Sequence, residues 1–325
     1  MAASETRDGV SLTNLDEPLF PDAGATKRDL VDYLDAVHGP LLDVLRDRPL
    51  SVMRVLRGQA PFMQKNVPKY TPDWVRTVSV WAESSKREVS YALCNDRKTL
   101  LWFANQRAVE YHPTLVRADD WAHPSYLILD LDPPEGDSFA LAVGAALLVR
   151  QALADLGLAG AVKTSGAKGV HVFVPLAEHT TGEEAAAATR AIAVRAERID
   201  PVLATTAYIK EDRGGRVFVD ATRAGGATVV AAFSPRLRPG VPVSFPVPWD
   251  ELESVSPKDF TLRTAADLIG SGDPWADALP APQRLDPALI EEGRAIPVAR
   301  VAAMHEGKRR ARARRSSDSG DIVPS

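Results

Sequence analysis

Cysteine is nearly absent from this sequence: its one copy, Cys94, excludes a disulfide within the chain and a zinc site built on several thiolates. Such usage fits a reducing, cytoplasmic setting. Long apolar runs are missing too. No segment approaches the ~18 uninterrupted apolar residues of a membrane span, and the opening MAASETRDGVSLTNLDEP lacks the apolar stretch of a signal peptide. The chain is therefore expected to be neither exported nor embedded. There is no internal repeat, and the G-x-x-x-x-G-K-[ST] spacing of a P-loop does not occur. Excess positive charge is also lacking over most of the chain. The net charge is −4, and with the six cations of Lys308–Arg315 set aside the remainder sums to −10. An acidic body does not exclude a nucleic-acid partner, because binding requires only a local basic stripe.

What is present is the balance of a soluble globular protein, with 325 residues, 45% hydrophobic and 25% charged. The expected organisation is an N-terminal extension and helix over 1–40, one main α+β domain of mixed strands and helices over 41–295, and a basic, disordered tail over 296–325. Thr26-Lys27-Arg28-Asp29 opens an amphipathic helix carrying Leu30, Tyr33, Leu34 and Val37, and Pro40 ends it. A short helix around Leu42–Leu45 comes next, then strand-like pieces broken by Gly58, Pro61, Pro68 and Pro72. Val75–Trp81 and Glu88–Leu93 read as a hairpin, and Lys98–Val109 as a helix. Alternation then predicts strands at Tyr126–Asp132, Ala161–Thr164, Val170–Pro175, Val217–Asp220 and Thr228–Ala232. Helices are predicted at Ser138–Leu156, with Ser138 as N-cap and Gly157 closing it, and at Glu183–Ile199. Beyond Arg236 the chain is proline-rich loop with small helices near Ala265–Ile269 and Pro287–Arg294.

The sharpest chemical signal is Leu127-Ile128-Leu129-Asp130-Leu131-Asp132-Pro133. Strand alternation puts the three leucines on one face and Asp130 and Asp132 together on the other. Two adjacent carboxylates repel unless a cation sits between them. Taken alone, the pair reads either as a solvated strand end or as half of a metal site. Val217-Phe218-Val219-Asp220 is a second apolar strand ending in aspartate, and it supplies a third ligand. Hard oxygen donors without Cys or clustered His suit Mg²⁺ or Mn²⁺. Two such ions are what phosphoryl transfer onto a 3′-hydroxyl requires.

Lys163-Thr164-Ser165-Gly166-Ala167-Lys168-Gly169-Val170-His171 lies between these aspartates. Its glycines permit close backbone approach, and its amides, hydroxyl, lysine and histidine can meet phosphate oxygens. By itself it reads equally as an ordinary glycine-rich turn. His112 reads alone as a surface or core histidine, Phe62 and Trp74 as core aromatics, and the Lys308–Arg315 run as a solvated tail or a DNA contact.

In order and spacing, SLTNLDEPLFP, TKRDLVDYL, PFMQK, PDWV, EYHP, LILDLDPP, TSGAKGVHVFVPL, RVFVD, SPRLRPGVPVS, PWDEL and DFTLRTAADLI resemble one family. It is the polymerase domain of bacterial ATP-dependent ligase D and its stand-alone relatives, within the archaeo-eukaryotic primase superfamily. The resemblance covers about Ser11 to Asp277. It implies a primase fold with an RRM-like catalytic sheet and templated addition of ribo- or deoxyribonucleotides to a primer, with two Mn²⁺ or Mg²⁺ ions. Asp130, Asp132 and Asp220 match the metal aspartates. Ser165, Gly166, Lys168, Gly169 and His171 match the triphosphate motif, with His112 near the incoming nucleotide and Arg236 on phosphate. Phe62 and Lys65 match a loop facing template and base, and Lys27 and Arg28 fall in the region that meets a DNA 5′ end.

The chain departs from the family pattern at three places. Glu17 stands where the family has a lysine linked with a 5′-phosphate pocket, Met63 replaces a second aromatic, and Arg223-Ala224-Gly225-Gly226 replaces an R-N-x-R-G run. The implied partners are a primer-template or gapped DNA, with Ku and a separate ATP-dependent ligase, for a monomer acting at the nucleoid. No ligase or nuclease domain fits in the remaining residues, so sealing is expected to fall to another protein. Two other classes compete, namely a binding module without activity and a metal-dependent phosphodiesterase.

Overall fold

Four of the alternating runs become four neighbouring strands of one sheet. The computed structural model describes residues 4–82, 86–136, 138–223 and 227–298. Strands β1 (Glu5–Arg7) and β2 (Val10–Leu12) pair, as do β3 (Pro18–Phe20) and β4 (Ala25–Thr26). Helices α1 (Lys27–Ala36) and α2 (His38–Leu45) follow. Next come β5 (Pro49–Arg54), β6 (Phe62–Gln64), β7 (Thr77–Ala82), β8 (Arg87–Leu93), α3 (Arg97–Asn105) and β9 (Ala108–Pro113). The second half holds β10 (Tyr126–Asp132), α4 (Phe139–Ala154), β11 (Ala161–Thr164), β12 (Val170–Pro175), α5 (Gly182–Ile199), β13 (Ala204–Thr205) and β14 (Val217–Asp220). It ends with β15 (Pro246–Val247), α6 (Ala265–Ile269), α7 (Pro274–Ala278) and α8 (Pro287–Ala295).

Among the described residues the larger sheets are two. A five-stranded sheet runs β6-β5-β8-β7 with β9 on the other side of β5, and a six-stranded sheet runs β13-β14-β10-β12-β11-β15. In the second, β13 and β14 are parallel and the remaining pairs are antiparallel. Leu127, Leu129 and Leu131 are fully buried, and their face of β10 packs against α4 and α5. Each such side chain contributes roughly 1.5–3 kcal/mol on burial. The helices come close because they are alanine-rich, with Ala142, Ala145, Ala146, Ala188 and Ala191 in the shared core. At Gly293 of α8 an added Cβ would lie 1.8 Å from the Ala187 carbonyl oxygen of α5, so only glycine permits this crossing. Residues before 41 belong to the same buried cluster through Leu12, Leu15, Leu30 and Leu34.

Four expectations need correction. The helix expected over Lys98–Val109 stops at Asn105, whose side chain accepts from Thr13 N and Lys27 Nζ and donates to Ser11 O; Arg107 then takes φ +59° and the chain turns into β9. Thr228–Ala232 is not a sheet strand of its own. It runs beside β9, with Val229 N donating to Pro113 O and Ala231 N to Tyr111 O. Pro40 does not end the helical region but sits in the first turn of α2, where its missing N–H costs no hydrogen bond. Ser138 precedes α4 without capping it, because its hydroxyl donates to Pro134 O at 2.6 Å. The Thr26 cap is realised as a full capping box with Asp29, and Gly157 turns at φ +67°. The basic run Lys308–Arg315 lies outside the described residues. No described helix is long and apolar enough to cross a membrane.

Candidate active site

Strand register assembles the site. Asp130 of β10 lies opposite Asp220 of β14 on one side and opposite His171 of β12 on the other, and His171 in turn lies opposite Lys163 of β11. Directly opposed residues share a face. Asp220, Asp130, His171 and Lys163 therefore form a polar row across four strands, on the face away from the leucines. Asp132, two residues beyond Asp130, joins it. One carboxylate oxygen from each of Asp130, Asp132 and Asp220 lies within 4.8 Å of the others.

This crowding shapes the charges. Burial and then the charges of Asp130 and Asp220 push Asp132 up to about 6. Burial acts against Asp130 too, but His171, Arg223 and Lys163 outweigh it and hold that group at about 2. The Arg223 guanidinium reaches both Asp130 (3.3 Å) and Asp220 (3.6 Å). Three hard oxygen donors, one of them held back from ionising by its neighbours, match a divalent cation.

The glycine-rich turn lies beside the carboxylates. Ser165 Oγ accepts hydrogen bonds from Ala167 N (3.2 Å) and Gly169 N (3.1 Å), which leaves its own hydrogen to donate outward. Gly169 lies so near β10 that a Cβ there would stand 2.5 Å from Leu131 O, and Gly166 turns at φ +66° against Arg236. Arg236 donates to Ser165 O, and Lys168 reaches Pro134 O (3.3 Å) and Glu135 (3.1 Å). Asp130, Asp132, Ser165, Lys168, Gly169, His171, Arg223 and Arg236 line one cleft of about 1070 Å³, which Arg238 and Lys258 also line.

His112 connects to this cleft indirectly. It sits on β9, opposite Ser51 of β5, and its Nε2 lies 2.9 Å from Glu110 Oε2. The same carboxylate stands 3.2 Å from Arg236 Nε and accepts from Leu237 N at 2.8 Å. Burial opposes ionisation of Glu110, yet His112, Arg236 and the Leu237 amide hold it at about 2. Burial keeps His112 below its ordinary value despite Glu110. Glu110 thus ties the histidine to the arginine that supports the turn.

Other sequence-derived candidates lie elsewhere. Phe62 and Lys65 are exposed at β6 and just after it, with the Arg54 guanidinium 6.0 Å from the Phe62 ring centroid. Lys27 and Arg28 are not among the cleft-lining residues. Lys27 is buried, its Nζ donating to Thr13 O and Asn105 Oδ1, both at 2.6 Å, and Arg28 pairs with Asp16 and Glu5. Glu17 pairs with Arg57 at 2.9 Å and with Arg107. Sequence reading overlooked Glu110, Lys163 and Arg223. The available signal for the first two was a lone charge inside an apolar strand, AVEYHP and AVKT.

Comparison with known proteins agrees with this geometry. The family described as LigD, primase-polymerase domain, matches residues 26–275. The bifunctional non-homologous end joining protein LigD of Bacillus subtilis is 33% identical over 280 residues, covering 84% of this chain and 45% of that protein. The multifunctional non-homologous end joining DNA repair protein LigD of Mycobacterium tuberculosis is 34% identical over 263 residues, covering 78% of this chain and 34% of that protein. This chain thus spans less than half the length of these relatives. Among solved structures, the polymerase domain of Mycobacterium tuberculosis ligase D in complex with DNA superimposes with a TM-score of 0.75 at 31% identity, covering 83% of this chain and 97% of that one. The expected archaeo-eukaryotic primase fold, with mixed helices and sheets, is therefore the observed one. On fold, matched span and identity together, this chain belongs to the LigD primase-polymerase domain family of DNA-directed polymerases.

Proposed function

We propose that this protein is a template-directed, metal-dependent nucleotidyltransferase that adds ribo- or deoxyribonucleotides to a primer 3′ end during DNA end joining or gap filling. The observation that carries this reading is a cluster of three carboxylates, two of which line the same cleft as the Ser165–His171 turn.

Asp130, Asp132 and Asp220 would hold two Mn²⁺ or Mg²⁺ ions, which supply activation of the attacking hydroxyl and neutralisation of the triphosphate. The outward hydrogen of Ser165, the close backbone at Gly166 and Gly169, and the charges of Lys168 and Arg236 suit the triphosphate. His171 lies between the turn and the carboxylates and bears on both. His112, held by Glu110, is assigned to the nucleotide through the Glu110–Arg236 link to the cleft. Phe62 and Lys65 are assigned to template and base, an exposed aromatic being a stacking platform. The substrate is primer-template or gapped DNA, as supported by the DNA complex of the tuberculosis domain. The end-joining names of the relatives support a place in non-homologous end joining.

Labelled primer-template incubated with Mn²⁺ and either NTPs or dNTPs tests this reading. Extension supports it, shortening would indicate a phosphodiesterase, and binding without either would indicate an inactive module.

A further inference from the structure

Lys163 is fully buried, which is rare for a lysine without a carboxylate partner. Its neighbours on β11, Ala161 and Val162, are apolar core residues, and β11 itself needs no cation for its pairing. Instead of an acid, the Lys163 Nζ meets His171 Nδ1 at 2.9 Å and Ser244 Oγ at 2.5 Å. Ser244 Oγ gives its own hydrogen to Thr164 O at 2.8 Å. It can therefore only accept from Lys163. On its other side the imidazole presents Nε2 to Asp130 Oδ1 at 3.2 Å, and an ionised carboxylate can only accept.

We propose that Lys163 is a positioning residue of the nucleotide site, holding the His171 ring by Nδ1 and so fixing the ring hydrogen on Nε2, toward Asp130 and the cleft. The inference rests on the reading of this cleft as the nucleotide site. A neutral imidazole carries one hydrogen, and which nitrogen bears it is set by the bond the other nitrogen makes. With Nδ1 occupied by a donor, the hydrogen must lie on Nε2. An ammonium has no lone pair and can only donate, so the nitrogen it meets at 2.9 Å is the bare one. A ring nitrogen that accepts from the Lys163 ammonium carries no hydrogen of its own, so the ring holds a single one. Without the lysine the hydrogen is free to move to Nδ1. A bare Nε2 lone pair would then face Asp130 and any bound phosphate oxygen, repelling both. Ser244, from the loop before β15, anchors the lysine so that the ring is braced from outside the cleft.

Three variants test this: Lys163→Met, which keeps volume without a donor, Lys163→Arg, which keeps donors, and Ser244→Ala, which loosens the anchor. The direct measurement is the ¹⁵N spectrum of histidine-labelled full-length protein, with the His171 signals assigned by Their loss in His171→Gln. The unmodified protein is expected to show His171 protonated on Nε2 and bare on Nδ1. Lys163→Met is expected to shift this population toward Nδ1–H and to raise the KM for the nucleotide on the order of 10-fold, while Lys163→Arg restores both. An Nδ1–H ring in the unmodified protein overturns the proposal, as does an unchanged tautomer and KM in Lys163→Met. If Lys163→Met does not fold by circular dichroism, Ser244→Ala decides by the same two readouts. A protein that extends no primer at all removes the polymerase reading, whereas the tautomer still decides what Lys163 does to His171.

Discussion

Asp220 stands directly opposite Asp130 in the antiparallel pairing of β14 with β10, although 90 positions separate them in the chain. Asp132 lies beside both, half-buried, and its charge is the costly member of the trio. Replacing it removes a metal ligand and a repulsion together. In chelator, Asp132→Asn is expected to melt no lower than the unmodified protein. Primer extension is expected to fall by more than ~100-fold, and Mn²⁺ is expected to raise the melting temperature of the unmodified protein alone. Calorimetry with and without Mn²⁺ checks this, and full activity in the variant would sink the metal assignment.

Gly169 is a steric requirement of the turn. Its missing side chain lets Leu131 O come within the space a Cβ would need. Gly169→Ala is expected to cost about 1–3 kcal/mol through displaced backbone and to weaken nucleotide binding by pushing the turn off the carboxylate strand. Denaturant unfolding and nucleotide titration on one preparation check both effects.

Glu110 predicts a pH dependence. Its folded value of about 2 lies below its ordinary 4.5, so its contribution is fully present above about pH 4.5 and is lost as pH falls toward 2. The contribution is on the order of 3 kcal/mol. The stability gap between the unmodified protein and Glu110→Gln is expected to be largest above pH 5 and to close on acidification. A series of urea titrations measures it, and a gap independent of pH would show that the carboxylate does not carry the effect.

Glu17 predicts a substrate preference. The carboxylate occupies Arg57 and Arg107, and Lys27 beside them is committed to Thr13 and Asn105. Few cations are left free there for a phosphate. Discrimination between gapped DNA bearing a 5′-phosphate and a 5′-hydroxyl is expected to be slight. Glu17→Gln, by releasing both arginines, is expected to increase it and to steepen its salt dependence. Binding of the two DNAs at fixed salt decides, and a strong 5′-phosphate preference in the unmodified protein would place the pocket on other residues.

Local pattern alone determined a good deal of this protein. The strands ending in Asp130–Asp132 and Asp220, the glycine-rich turn with Ser165 and Lys168, and the hairpin of β7 and β8 could be read because alternation and turn chemistry act over a few residues. The pairing partners could not. Strand register is a long-range choice set by which faces bury together, and it alone brought Lys163 and Asp220 into one row with Asp130. Glu110 was hidden for a related reason: its partners Arg236 and Leu237 arrive from a loop more than a hundred residues away. The end of α3 was decided outside the helix, by Asn105 bonding to the N-terminal segment. Lys27 shows the limit most directly. From sequence it is a cation in the region that meets a DNA 5′ end, but packing buries it and directs its amine into the fold, because desolvation and hydrogen bonding are properties of the neighbours that only the tertiary structure supplies.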